Sequence, residues 1–340
     1  MRKKWLLLIP VLLLIIFLFG PSPSTPVYNP EMPTVPPNPV ALQDYIRAGE
    51  RQHKLKTDNE ARIVWAHDTL LDKTDYAIVY LHGFSASQGE GDSVHRYIAR
   101  TFGCNLFLAR MAEHGIDTTD AMVNLTADNY WESAKQALAI GEQLGKKVIL
   151  MGTSTGGSFA LQLAATYPDK VAALILMSPN IAINDPTAFI LNDHWGLQIA
   201  RLVTGSNYIV SKDDYGPLYQ QYWYTKYRTE AVVALEEYLE TKMNKATFEK
   251  VTQPTALFYY YKDKVHQDST VKVAAELEMF AQLATPTDRK RQEAIPEAGT
   301  HVIGSSIRSH DVAGVRKGVV SFMTDILHMS PVGTIAPPVK

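Results

Sequence analysis

The chain has a single cysteine, Cys104, in 340 residues, so neither a disulfide framework nor a thiolate metal cluster can form within it. Cys104 opens an apolar run and reads as a small core residue rather than a nucleophile. Net charge is as sparse. Thirty-three basic residues against 35 acidic ones leave −2, so neither the basic footprint of a nucleic-acid-binding surface nor a strongly acidic tail is suggested. No stretch of uninterrupted apolar sequence reaches the length that settles a membrane span by itself. The longest, Trp5 to Phe19, has fifteen residues, between a signal-peptide core and the roughly 17 to 25 that a span requires.

What surrounds that run suggests an anchor. Arg2, Lys3 and Lys4 precede it, and the small-x-small triplet that follows, Ser22-Pro23-Ser24, carries a proline at its centre and makes a poor cleavage site. The expectation is an uncleaved membrane anchor or signal segment over 1–20, with the basic residues on the cytoplasmic side. The remainder would then lie outside the cytoplasm, periplasmic or extracellular, or be secreted if the leader is cleaved. Eight prolines between Pro21 and Pro39 forbid a helix or a ladder strand, so 21–40 reads as an extended linker holding the following domain off the membrane. That domain is expected over 41–330, with a tail at 331–340.

The domain is organised around Lys147 to Tyr167. Val148 to Gly152 form a short apolar run, and Ala160, Leu161, Leu163, Ala164 and Ala165 continue on a helical period. Between them lies Gly152-Thr153-Ser154-Thr155-Gly156-Gly157. Glycines two places before and after a serine, at a strand-to-helix turn, form a nucleophile elbow: the turn leaves no room for flanking side chains and pushes the hydroxyl clear. The unpaired amides at the start of the helix favour negative charge beside Ser154.

Such a serine needs a base, an acid and an oxyanion hole. Apolar strands at Arg62 to Ala66, Ala77 to Leu81, Asn105 to Ala109, Val171 to Met177 and Thr255 to Tyr261 alternate with helical stretches, the pattern of a mostly parallel sheet covered on both faces. Sites in these sheets lie at the carboxyl ends of strands. His82-Gly83-Phe84 follows one strand and offers the Phe84 amide as an oxyanion donor, paired with the Thr155 amide. Asp263 follows another and is the expected acid, with nearby Asp268 read as a cap for the helix after it. His301, in the glycine-containing loop Glu297 to His301, is the expected base, because His266 is too close to Asp263 and His310 and His328 fall in a terminal helical region. His114, which precedes the serine, shapes its loop. The aromatic-rich stretch 181–251 is placed to cover the site as a helical lid, with Trp195, Tyr219 and Trp223 as candidate substrate contacts. Glu236, Glu237 and Glu240 are expected on its solvated face.

Through His82-Gly83-Phe84, Glu113-His114-Gly115, Gly152 to Gly157, Asp263 and His301, the chain resembles the α/β-hydrolase superfamily, most of all its branch of monoacylglycerol lipases, carboxylesterases and serine aminopeptidase-like enzymes. Glu113 stands where similar proteins often have glycine. The resemblance implies an α/β-hydrolase fold with a lid and a serine hydrolase acting on a small-molecule ester or lipid, without metal or cofactor. Amide or peptide cleavage, and a silent membrane-tethered binding module, are the alternatives.

Overall fold

The computed structural model describes residues 2–67, 69–211 and 215–332, with side chains from residue 9 onward. The expected tail lies outside the described residues except for its first two positions. Among them, seven strands form one sheet: β1 (Arg62–Val64), β2 (Thr74–Leu81), β3 (Asn105–Leu108), β4 (Gly145–Thr153), β5 (Ala173–Met177), β8 (Thr255–Tyr259) and β9 (Lys290–Ala294). Their spatial order is β1-β3-β2-β4-β5-β8-β9, with β1 antiparallel to β3 and every other pair parallel. A separate antiparallel pair, β6 (Tyr208–Val210) and β7 (Lys226–Arg228), lies in the long insertion between β5 and β8.

The apolar strands are buried on both sides because successive side chains feed two different cores. Val79, Leu81, Leu150 and Leu174 face one, which takes in α4 (Ala127–Leu144) and α5 (Thr155–Thr166). Ile78, Tyr80, Ile149 and Ile175 face the other, closed by α3 (Val94–Thr101) and α11 (Val312–Asp325). A capping box starts α4, in which the Thr126 hydroxyl accepts from the Asn129 amide and the Asn129 side chain accepts from Thr126. Gly145 is the C-cap of that helix, with an extended φ of −141°, and also begins β4. It is glycine because a Cβ there would lie 2.4 Å from the Ala77 nitrogen.

Two expectations for the N-terminal region are corrected. The first helix, α1, runs Arg2–Leu18, and no helix among the described residues is long and apolar enough to cross a membrane. Three basic residues open its 17, so the apolar part from Trp5 spans about 21 Å at 1.5 Å per residue, short of a hydrocarbon layer of about 30 Å. The transmembrane signal-anchor assignment is therefore withdrawn. Nor does the proline-rich segment stand off as a spacer. It lies along the domain: the Trp131 indole donates to the Asn29 carbonyl (3.0 Å), Lys135 to Glu31 O (2.7 Å) and the Tyr167 hydroxyl to Pro30 O (2.8 Å). Tyr28 reaches Thr241, and Val35 is buried. Proline excludes helix and ladder strand but leaves carbonyls free to accept, and these side-chain donors use them. The strap ends in α2 (Pro39–Glu50), N-capped by Asn38.

The insertion carries α6 (Gly196–Thr204), α7 (Pro217–Tyr222), α8 (Thr229–Lys242) and α9 (Lys245–Phe248), and α10 (Val273–Gln282) follows β8. Glu236 and Glu237 on α8 are buried, contrary to the solvated face expected for them.

Candidate active site

The sharp turn from β4 into α5 holds Ser154 at φ 53°, ψ −124°, a conformation costly for any residue with a side chain. It persists because the neighbours over-determine it: the Ser154 amide donates to Met177 O (3.0 Å) and its carbonyl accepts from Asn180 N (3.0 Å), so the end of β5 pins the turn. Both flanking glycines are obligatory. A Cβ on Gly152 would lie 2.5 Å from the backbone of Gly156 and Gly157, and one on Gly156 would lie 2.0 Å from the Leu81 carbonyl oxygen.

The acid differs from expectation. Asp263 does not meet His301; its carboxylate accepts from the Val265 and His266 amides and pairs with the His266 ring at 2.9 Å, on an exposed loop. His301 Nδ1 instead lies 2.6 Å from Asp268 Oδ2. The reason lies in the chain path after β8. Residues 261–267 loop out and close on themselves through a Tyr261–Gln267 bridge and a Lys262 amide bond to His266 O, and the Asp268 amide then returns to the Tyr260 carbonyl (3.1 Å). Five residues later in sequence, Asp268 is the carboxylate delivered to the strand end. Its other oxygen accepts from the Thr270 and Val271 amides in the turn ahead of α10, whose N-cap position is Lys272, so Asp268 is not the helix cap expected of it. The Asp268–His301 pair is buried. Burial pulls the imidazole pKa down, but the Asp268 carboxylate outweighs it and holds His301 above the ordinary histidine value. Burial pushes Asp268 up, yet His301 and the two amides together hold it below the usual carboxylate range. His301 Nε2 is buried and has no hydrogen-bond partner among the described residues.

The other loops are cross-tied by two neutral histidines. His82 Nε2 accepts from the Met111 amide (3.0 Å), and His114 Nε2 from the Ser85 amide (3.0 Å). Burial lowers both rings, His82 to about 4. These ties fix the turn at 82–85, and neither the Phe84 nor the Thr155 amide donates a hydrogen bond among the described residues. Glu113 has φ 63°, the left-handed region that favours glycine.

The insertion packs on this turn. The Tyr224 amide donates to Ser85 O (2.8 Å), Phe84 meets Tyr227 edge to face, and Trp223 packs with Ala86 and Val302, next to His301. Tyr219 stacks on Trp223 at 4.6 Å. Two of the three aromatic candidates are therefore gathered around this turn and the residue after His301. The third, Trp195, is engaged with the N-terminal segment, its indole donating to Ile16 O and its amide to Pro21 O.

A family model described as alpha/beta hydrolase fold matches residues 76–212, from β2 through the elbow into the insertion. Solved structures match over most of the chain. The metagenome-derived lipolytic enzymes LipS and LipT are represented at a TM-score of 0.63 and 14% identity, covering 79% of this chain and 99% of theirs. The chain has the α/β-hydrolase fold. A monoacylglycerol lipase from Paleococcus ferrophilus (TM-score 0.52, 14% identity, 76% and 98% covered) shares the fold, as does Est1E from Butyrivibrio proteoclasticus with ferulic acid bound (0.51, 18%, 79% and 95%). No curated protein matches the chain.

Within this α/β-hydrolase framework the sequence reading missed two buried carboxyls. Glu90 accepts from the Gly83 amide at 2.6 Å and from the Tyr80 hydroxyl at 3.2 Å. Glu276 on α10 is fully buried behind Asp268, with both carboxyl oxygens unpartnered among the described residues. Burial, reinforced by the Asp268 charge, pushes Glu276 well above the usual carboxyl range. A periodic pattern gives neither away: Glu276 sits on a helix like any surface glutamate, and Glu90 in a glycine-flanked turn.

Proposed function

We propose that the protein is a serine hydrolase that cleaves carboxylic esters through an acyl-enzyme, with Ser154, His301 and Asp268 as its triad. The observation that carries this reading is the buried 2.6 Å Asp268–His301 pair, whose residues follow parallel strands β8 and β9 at the end of the sheet where the strained Ser154 elbow follows β4. Asp268 holds Nδ1 protonated, which leaves Nε2 as the basic nitrogen. His301 takes the Ser154 proton as the hydroxyl attacks the carbonyl carbon. The Phe84 and Thr155 amides, otherwise unused, donate to the oxyanion that forms, and a pair of such donors is worth about 3 kcal/mol each. His301 then protonates the leaving alcohol, and water repeats the sequence on the acyl-enzyme. The insertion would serve as the lid, with Tyr219 and Trp223 as walls of the substrate pocket. The names of the similar structures, lipolytic enzymes and a monoacylglycerol lipase, favour an ester or lipid over an amide.

The purified chain should react with a fluorophosphonate probe and turn over short p-nitrophenyl esters, and Ser154→Ala should abolish both. Turnover undiminished in that variant would refute the assignment. A panel of esters, monoacylglycerols and aminoacyl amides then ranks the substrate classes. A location outside the cytoplasm is also part of the proposal, supported by Arg2, Lys3 and Lys4 ahead of the apolar run to Phe19. Cell fractionation tests it, and recovery of the full chain with the cytoplasmic proteins would overturn it.

A further inference from the structure

Glu90 is an expensive residue to place where it stands. It is buried in a short 3-10 turn, Gln88–Gly91, and glycines flank it because rings pack onto the turn on both sides. A Cβ on Gly89 would lie 2.4 Å from the Tyr222 ring, and one on Gly91 would lie 2.3 Å from the Tyr80 ring. The Gln88 side chain donates to Asp58, and the Gln88 carbonyl bonds the His95 ring at 2.9 Å. The turn is thus held with Glu90 buried. No lysine or arginine pairs with its carboxyl among the described residues, and an uncompensated charge at such a depth costs several kcal/mol.

What it points at is the reaction centre. Oε2 accepts from Gly83 N and Tyr80 Oη, and Tyr80 Oη in turn lies 3.0 Å from the hydroxyl of Thr153, the residue before the nucleophile. Oε1 takes the opposite edge. The position a Gly83 Cβ would occupy is 2.7 Å from Glu90 Oε1 and 3.0 Å from Ser154 Cβ, so this oxygen and the nucleophile share the space that Gly83 leaves open. His301 feels the same carboxyl electrostatically.

We propose that Glu90 is a further functional residue of this site and works as the neutral acid: Oε2 clamps the Gly83-Phe84 turn, and Oε1 presents a proton beside Ser154. A carboxylate there would oppose the oxyanion that the Phe84 and Thr155 amides are placed to stabilise, whereas a carboxylic acid adds a donor. The inference rests on the serine hydrolase reading. It also fixes a pH behaviour. Burial raises the Glu90 carboxyl to about 7, against the Gly83 amide, His301 and Tyr80, which lower it. The groups around it are Tyr80 on β2, Tyr130 on α4, and His301 backed by Asp268; His95 on α3 packs against Tyr80, which also feels Asp92. Both tyrosines stay neutral, so the titration near neutrality belongs to Glu90 coupled with His301.

The test is the pH profile of kcat/KM for a neutral short-chain p-nitrophenyl ester, with the full chain as wild type, Glu90→Gln, Glu90→Ala and Tyr80→Phe. Glutamine is a permanently neutral donor of the same shape. The ratio of E90Q to wild type should climb about tenfold between pH 6 and pH 8, the change expected when a group of pKa about 7 ionises in one protein and not in the other. E90A, lacking both clamp and donor, should be depressed at every pH. Y80F removes a bond to the charged form, so its alkaline limb should move to higher pH. A flat E90Q ratio would reduce Glu90 to a packing role and overturn the proposal. Equal impairment of E90Q and E90A would show that the charge is needed, and wild-type preference for cationic aminoacyl esters, lost in E90Q, would make Glu90 a cation-binding group; either outcome overturns it. If the Glu90 variants fail to fold, an unmoved alkaline limb in Y80F does so as well. An active Ser154→Ala would instead bring down the underlying hydrolase reading, so the two failures are distinguishable.

Discussion

Two aspartates five residues apart after β8, Asp263 and Asp268, each pair with a histidine, and the two pairs behave in opposite ways. Asp263 and His266 are 2.9 Å apart with side chains 52% and 64% exposed; Asp268 and His301 are 2.6 Å apart and 0% and 12% exposed. The first pair is local, three residues apart, and folds a loop onto itself. The second joins segments 33 residues apart and is sealed from solvent. Contact distance alone does not separate them, since water screens an exposed pair to little net effect while burial makes each charge depend on its partner. A carboxylate that must steer an imidazole through a proton transfer belongs to the second kind.

The largest consequence is catalytic. Asp268→Asn should lower kcat by about 10³ to 10⁴, because the amide no longer holds the Nδ1 proton and the wrong tautomer faces Ser154. Measuring ester turnover with correction for probe-labelled sites checks this, and a loss under tenfold would mean that the buried pair is structural. A smaller effect is a shift in pH. His301 acts as a base only when neutral, and the Asp268 carboxylate keeps its pKa above the ordinary value, so activity should fall as pH drops through that raised pKa. In Asp268→Asn burial, the largest influence on the ring, lowers its pKa against the Glu90 carboxyl alone, and the acid limb of whatever activity survives should move to lower pH. An unmoved limb would remove Asp268 as the cause.

Glu276 sharpens the same contrast from behind. Its folded pKa lies well above the unfolded value near 4.3, so the native state holds a proton that the unfolded chain gives up. Its contribution is complete below pH 4 and erodes as pH rises from there towards the folded pKa. Glu276→Gln, permanently neutral, should therefore gain melting temperature over wild type as pH increases, by about 2 to 4 °C at pH 8 if it recovers about 1 kcal/mol. A difference between the two proteins that stays constant from pH 5 to pH 8 would show that Glu276 is not protonated in the fold.

The comparison also explains how far the sequence could be read. The elbow was legible because its pattern is local: Gly152 and Gly156 sit two residues from Ser154, and although Gly156 is confined by Leu81 of the neighbouring strand, the space Gly152 lacks is taken by the backbone of Gly156 and Gly157. The strands were legible because residues such as Ala77 to Leu81 are apolar on both faces. Asp268 was not, because its place depends on the excursion of residues 261–267, which brings a later residue back to the strand end without leaving a periodic mark. The proline-rich strap was misread for a related reason, since proline forbids regular structure but does not say whether an irregular segment packs. The apolar leader was too short for its length to decide, and the helix that forms spends its first turn on charge.

The smallest effect is the most pointed control. Asp263 owes its carboxyl pKa of about 2 to the His266 amide and ring and the Val265 amide, all of them within its own exposed loop. Its contribution to stability is present above the unfolded value near 3.9 and disappears as pH falls towards 2, outside any range in which an esterase assay is run. Asp263→Asn should thus leave ester turnover within about twofold of wild type and the melting temperature at pH 7 within about 1 °C, and His266→Ala should do the same. The double variant should add nothing further, because an exposed local pair carries little coupling to lose. A fall in kcat of a hundredfold in either single variant, with probe labelling of Ser154 intact, would mean that the exposed loop swings inward during turnover and that Asp263, not Asp268, steers His301.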